Sequence, residues 1–278
     1  MCVLYHRRTV VPLRNSLERL GAHRHTVPLV IIGLTILAVN IPTLLHIVTT
    51  DPVQLYANLQ TGTSHQALPG SPIIDPNAGY ITWSMGHLAA TDWLHGHVPW
   101  WNPYEGLGSP LAGEMQAAAF FPPIFLLQNA SGFVVFHLLL ELMAGYSTYF
   151  LLGRLDLGRA ASTAGGVAFG LCGTLAWLEH ATANPVAFLP LALLGVERAR
   201  EASLASRSHG WRLLAVALGL SVVSGFPEVA YLDGLLVALW AAVRLFSVPG
   251  RRRTMGAKLA LGGAVGLLLG HKGIGAVS

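Results

Sequence analysis

Long apolar runs alternate with short polar connections along most of the chain. The first run, PLVIIGLTILAVNIPTLLHIV at 28–48, holds 21 residues and as a helix reaches about 30 Å, the thickness of a bilayer core. It is too long for the apolar part of a signal peptide, and no small-residue cleavage site follows it, so it reads as a retained anchor. Asn40 and Pro42 inside it require a second helix to cover their face. Further runs fall at 132–153, 160–178, 183–197, 211–225, 228–246 and 257–270. Those at 183–197 and 211–225 are short for a span and predict tilted, re-entrant or broken segments, with Pro185 or Pro190 as the break. Between them and the anchor the pattern changes. Over 78–95, Tyr80, Trp83, Met85, Leu88 and Leu94 recur at helical spacing, which predicts an amphipathic helix lying along a membrane, with Trp83 and Trp93 on its interfacial face.

The pattern as a whole predicts an all-α integral membrane protein, a polytopic helical bundle with a long extracytoplasmic first loop. Its parts are a basic N-terminus (1–27), a first transmembrane helix (28–48), a loop with interfacial helices (49–131), a bundle of five to six further spans (132–270) and a short tail (271–278). The stretch GHKGIGAVS follows the last run directly, as expected of a truncated member of a larger architecture.

Composition agrees: mean hydropathy is +0.55 and only 11% of residues are charged, against about a quarter in soluble domains. The net charge of +4 does not indicate nucleic acid, because the basic residues sit in short clusters between apolar runs. From Thr49 to Gly153 there is no Lys or Arg, while Asp51, Asp75, Asp92, Glu105, Glu114 and Glu141 all fall there. Basic residues return at Arg154 and Arg159, at Arg198, Arg200, Arg207 and Arg212, and at Arg244, Arg251–Arg253 and Lys258. The connections at 178–184 and 224–229 carry none. The positive-inside rule then places the N-terminus in the cytoplasm and the acidic loop outside a bacterial plasma membrane. Cys2 and Cys172 form no disulfide or zinc pattern.

PWWNPYEGLGSP, at 99–110, packs turn-forming Asn102-Pro103 and Gly108-Ser109-Pro110 around three aromatic residues. Trp100, Trp101 and Tyr104 suit interfacial anchoring and equally suit stacking on a sugar face or an isoprenoid chain. Asp75, Glu105 and Glu114 have no basic neighbour in the loop; they are solvated, or gathered around a cation or substrate. His137 and Glu141, one helical turn apart, share a face of their span. Asn129-Ala130-Ser131 matches a glycosylation acceptor by chance.

The order of an Asp and a Tyr, an interfacial helix and HGHVPWWNPYEGLGSPLAGEMQAAAFFPP resembles the YfhO-like family of bacterial polytopic membrane proteins, within the GT-C glycosyltransferases. The matching residues are Gly96, Pro99, Trp101, Asn102, Pro103, Tyr104, Gly108 and Pro110, then Phe121, Pro122 and Pro123. Weaker likeness continues to about residue 245, with Phe226 where the family pattern has His. The resemblance implies a GT-C fold and transfer of a sugar from a polyprenyl-phosphate donor to an envelope glycan or polymer on the outer membrane face. It also implies an acid of the first outer loop as catalytic base, matched best by Asp75, with Asp51 as competitor.

Inverting transfer requires a base for the acceptor hydroxyl and positive charge for the leaving phosphate. The outer loop lacks Lys and Arg. That leaves a divalent metal (Mg or Mn), helix N-termini, the histidines His87, His95, His97 and His180, or a basic residue beyond this chain. No DxD pair is present. Tyr80, Trp101, Asn102, Tyr104, Glu114, Gln116, His180 and Glu228 share the outer side and are the candidate substrate contacts. The rival expectations are a non-catalytic envelope-assembly subunit, a lipid or solute transporter, or an inactive fragment of a larger enzyme.

Overall fold

The computed structural model describes residues 13–45, 47, 78–178 and 181–274, and Asp51, Asp75 and His180 lie outside them. Among the described residues the structure is helical, with one isolated β-bridge. The helices are α1 (Leu13–Leu44), α2 (Ser84–Leu94), α3 (Ala130–Arg154), α4 (Arg159–Gly170), α5 (Gly173–Leu178), α6 (Leu189–Leu204), α7 (Arg212–Val223), α8 (Pro227–Leu245) and α9 (Arg252–Ile274). A π-helical turn, Ala78–Trp83, leads into α2, and short 3-10 turns carry the chain from there to α3.

Two stretches, Arg24–Leu44 and Ser131–Arg154, are long and apolar enough to cross a membrane. The other runs differ from the expectation in instructive ways. The run at 160–178 is two helices, α4 and α5, separated at Leu171 and Cys172. The run at 183–197 begins as a 3-10 helix, Ala181–Phe188, that holds Pro185, and becomes α6 only at Leu189. Proline cannot donate to the helical ladder, so the tighter turn occupies this stretch. Helix α7 has 12 residues and reaches about 18 Å. Helix α8 has 19 residues and includes Glu228, Asp233 and Arg244.

Helix α3 is the centre of the described residues: it packs on α1, α4 and α6, while α7 packs on α6 and α9. Helices α3 and α4 meet through glycines. A Cβ on Gly166 would fall 2.8 Å from the Gly145 carbonyl oxygen, so only hydrogen there allows that approach, and fully buried Ile32 and Ile36 of α1 fill the space beside it. Asn40 of α1 donates to the Ile36 carbonyl (3.0 Å) and to Glu141 Oε2 (2.7 Å). Helix α3 thus covers the polar face that α1 was expected to need covered. His137 Nε2 lies 3.9 Å from Glu141 Oε1, and both residues are buried, so the expected shared face is an internal one.

The polar ends of the helices gather at one end. Arg154 of α3 makes a two-pronged pair with Glu201 of α6 (2.5 and 2.6 Å). Arg200 donates to Ser247 Oγ (2.9 Å) and Arg244 of α8 donates to Glu197 of α6 (2.5 Å). The outward faces are apolar instead. Val30, Leu34 and Val39 on α1, Tyr231, Leu232, Leu235 and Leu239 on α8, and Leu267–Leu269 on α9 are each at least half exposed. Apolar surface on that scale marks contact with lipid or with another protein.

Candidate functional site

The residues from 99 to 128 form a cap over the end of the bundle opposite the ion pairs. PWWNPYEGLGSP folds into a closed hairpin turn. Asn102 N–H donates to the Ser109 carbonyl (2.7 Å) and Ser109 N–H to the Asn102 carbonyl (2.9 Å), giving the antiparallel bridge. Inside it, the Asn102 side-chain oxygen accepts Tyr104 N–H (3.0 Å), the local bond that fits Asn ahead of Pro in a turn. Glu105 Oε2 accepts Ser109 Oγ–H (2.8 Å), with Asn102 Nδ2 at 3.5 Å. Gly108 has φ +100°, and a Cβ there would sit 2.4 Å from the Trp101 ring. Its backbone and its neighbour both require glycine. Asn102 is buried, whereas Tyr104 and Leu107 protrude at the tip, 83% and 104% exposed.

Three contacts fix the cap. The Trp93 indole N–H donates to the Ala119 carbonyl (2.8 Å). His87 donates through Nδ1 to the Leu127 carbonyl (3.0 Å), and Gln128 donates to Thr91 Oγ1 (3.0 Å). Phe121 is 2% exposed and stands edge-on to Phe136 and Phe188, with ring centroids 5.6 and 5.8 Å away. Pro122 then starts the turn that feeds α3, whose first free N–H groups are capped by Asn129 accepting Gly132 N–H (2.8 Å). Trp83 and Trp93 are both partly buried against the chain itself. Trp83 packs edge-on to Phe133 (5.3 Å) and Trp93 to Phe120 (5.9 Å). Helical spacing identified the apolar face of α2, but the neighbour that covers it is the chain's own return path.

Between α2 and the hairpin lies a cavity of about 630 Å³. Ile81, Met85 and Leu88 give it apolar walls, and Ser84, His87, Thr91, Asn102, Tyr104 and Glu105 give it polar groups. Its volume falls within the usual range of small-molecule sites. With hydroxyls, an amide and one carboxylate beside aliphatic side chains, it can hydrogen-bond a polyol while packing on its apolar face.

The structure brings only part of the expected site together. Asn102 and Tyr104 line this cavity; Trp101 lies against Gly108 with its ring half exposed. Glu114 lines a separate small recess with Val222 and Val223, where its Oε1 accepts Gln116 N–H at 3.4 Å. Gln116 Oε1 is buried with no hydrogen-bond partner. Glu228 is an exposed first-turn residue of α8, a position that suits an acid through the helix dipole. Tyr80 falls in the π-helical turn before α2. Glu105 is the residue the sequence reading left out of the site. Its signal was present in the motif: an acid four positions before Ser109, both within one tight turn. Among the described residues no three His, Cys, Asp or Glu side chains gather to hold a metal ion.

No protein-family model, curated protein or solved structure matches the chain.

Proposed function

We propose that the chain is a polytopic plasma-membrane glycosyltransferase with its N-terminus in the cytoplasm and its cap outside, using a polyprenyl-phosphate sugar as donor and an envelope glycan or polymer as acceptor. The observation that carries this reading is the cavity between α2 and the hairpin. It sets one carboxylate, hydroxyls and an amide beside apolar walls, at the end of the bundle remote from the arginines. The apolar outer faces of α1, α8 and α9 support the membrane setting, and the sequence likeness to the YfhO-like family supports the reaction class.

In the proposed reaction the acceptor hydroxyl oxygen attacks the anomeric carbon, a carboxylate takes the hydroxyl proton, and the bond from that carbon to the phosphate oxygen breaks with its electron pair going to the polyprenyl phosphate. Asp75 and Asp51 are the bases that the sequence favours. Glu105 is a third, held in place by Ser109. The expected Mg or Mn ion has no ligand set among the described residues, and the step above uses the chain's own groups.

Purified protein supplied with a polyprenyl-phosphate hexose and envelope glycan tests the proposal. Wild type should transfer sugar, and at least one of Asp75→Asn, Asp51→Asn and Glu105→Gln should lower the rate by about 10²-fold or more. Full activity in all three variants removes the carboxylate assignment. A wild-type protein that transfers nothing from any donor points to the assembly-subunit, transporter or inactive-fragment alternatives.

A further inference from the structure

A cavity of about 790 Å³ lies at the opposite end of the bundle from the cap. Four arginines line it, and each comes from a different helix: Arg24 from α1, Arg154 from α3, Arg159 from α4 and Arg198 from α6. No sequence run places them together; the fold does. Two acids also line it, Asp156 and Glu201. Glu201 is engaged by Arg154 at 2.5 and 2.6 Å, so that pair is neutral as a unit. Arg24, Arg159 and Arg198 have no carboxylate within ion-pair distance among the described residues. Against them stands only Asp156, held at a left-handed corner (φ +63°) between α3 and α4.

A second feature has the same sign. Helix α4 starts at this cavity, with Gly158 as its N-cap, no side-chain cap bond and no acid in its first turn. Its free N–H groups and dipole add positive potential where Arg159 already stands. The wall is not purely polar: Phe150 and Leu157 line it and are each more than a third exposed. His25 Nδ1 and the Tyr149 hydroxyl bond to each other at 2.8 Å and close one side. Guanidinium groups that converge in excess of the carboxylates beside them suit phosphate, which they bind through paired N–H donors.

We infer that this cavity binds a phosphate group, presented by an anionic lipid headgroup or by a soluble phosphate compound, on the basic side of the protein. Arg24, Arg159 and Arg198 make the contacts, while Arg154 is kept in place by Glu201. In the proposed orientation that side is cytoplasmic, where basic pockets between membrane helices meet lipid headgroups. The inference stands apart from the glycosyl-transfer reading and survives its failure.

The test uses the full chain purified in a neutral detergent, with lipid retention read by native mass spectrometry. In one arm it is titrated with cardiolipin, phosphatidylglycerol or phosphatidylcholine; in the other, inorganic pyrophosphate competes with the retained anionic lipid or shifts the melting temperature alone. The cavity variants are Arg159→Gln/Arg198→Gln and, separately, Arg24→Gln. The control is Arg251→Gln/Arg253→Gln, on basic residues outside the cavity. The expected result is retention of an anionic species over phosphatidylcholine, weakened about tenfold or more by the cavity double variant and weakened less by Arg24→Gln and by the control. A preference in the lipid arm alone assigns a lipid headgroup, and stabilisation by pyrophosphate without lipid retention assigns a soluble phosphate. Equal retention of all three lipids with no pyrophosphate effect overturns the inference. So does a control as damaging as the cavity double variant, and so does undiminished binding in Arg24→Gln should the double variant fail to fold.

Discussion

Arg244 donates to Glu197 Oε2 at 2.5 Å across 47 positions of sequence, and the acid it meets is 1% exposed. The other oxygen of Glu197 accepts the Trp240 indole N–H at 3.0 Å, and Arg200 stands 3.9 Å off. Helix α8 is thereby tied to α6 by one buried carboxylate that accepts two donors from α8. Removing one partner of a buried ion pair leaves the other charge without compensation.

Arg244→Ala should therefore destabilise the bundle by roughly 3 kcal/mol, the low end for a broken buried pair because Arg200 remains nearby. Glu197→Leu/Arg244→Leu should cost clearly less than the sum of its single changes. Thermal melts in detergent check both; strict additivity would mean that the two side chains do not act as a pair.

Gly108→Ala should open the hairpin without unfolding the bundle. A side chain at φ +100° is strained and meets the Trp101 ring, a combined cost of about 1–3 kcal/mol. Faster proteolysis between 103 and 108, with an unchanged global melt, is the expected result. A resistant variant would show that the turn tolerates a Cβ.

Phe121→Ala should loosen the cap as a unit. The ring stands between Phe136 and Phe188, and losing a buried phenylalanine costs about 3–5 kcal/mol. Hydrogen exchange should rise across 84–128 and stay low in α3 and α6. Uniform loss of protection would mean that cap and bundle unfold together.

Leu107 protrudes at the tip of the hairpin and Arg251 is exposed at the far end of the chain's bundle. In a chain with Cys2 and Cys172 replaced by serine, Leu107→Cys should react with a membrane-impermeant thiol reagent in intact cells. Arg251→Cys should react only after lysis. The reverse pattern would invert the orientation.

What the sequence made legible was local. Helix α3 and the membrane-length part of α1 follow from length and apolar composition, and Asn102-Pro103 announced a turn that the Asn102 side chain indeed closes. Helical spacing put His137 and Glu141 on one face, where they are buried side by side. Tertiary features were silent. Trp83 and Trp93 pack on Phe133 and Phe120, contacts that periodicity does not give, because it says which residues share a face and not what covers it. The pairing of Arg154 with Glu201 and of Arg244 with Glu197 joins helices far apart in sequence, and a charge count reads such residues as surface flanks. Glu105 was visible as an acid but not as a cavity residue, since only the folded hairpin turns it toward α2. Phe121 reads in the sequence only as an aromatic ahead of Pro122-Pro123, and its burial between two rings gives that position a packing role.

The hairpin from Asn102 to Ser109 holds its shape by bonds among its own residues, and the bundle beneath contributes none of them. Changes at 103–107 can therefore alter what the rim presents without disturbing the helices that support it. Diversity at the tip carries little risk to the scaffold, and libraries varied there alone are the economical test of the recognition proposed for this cavity.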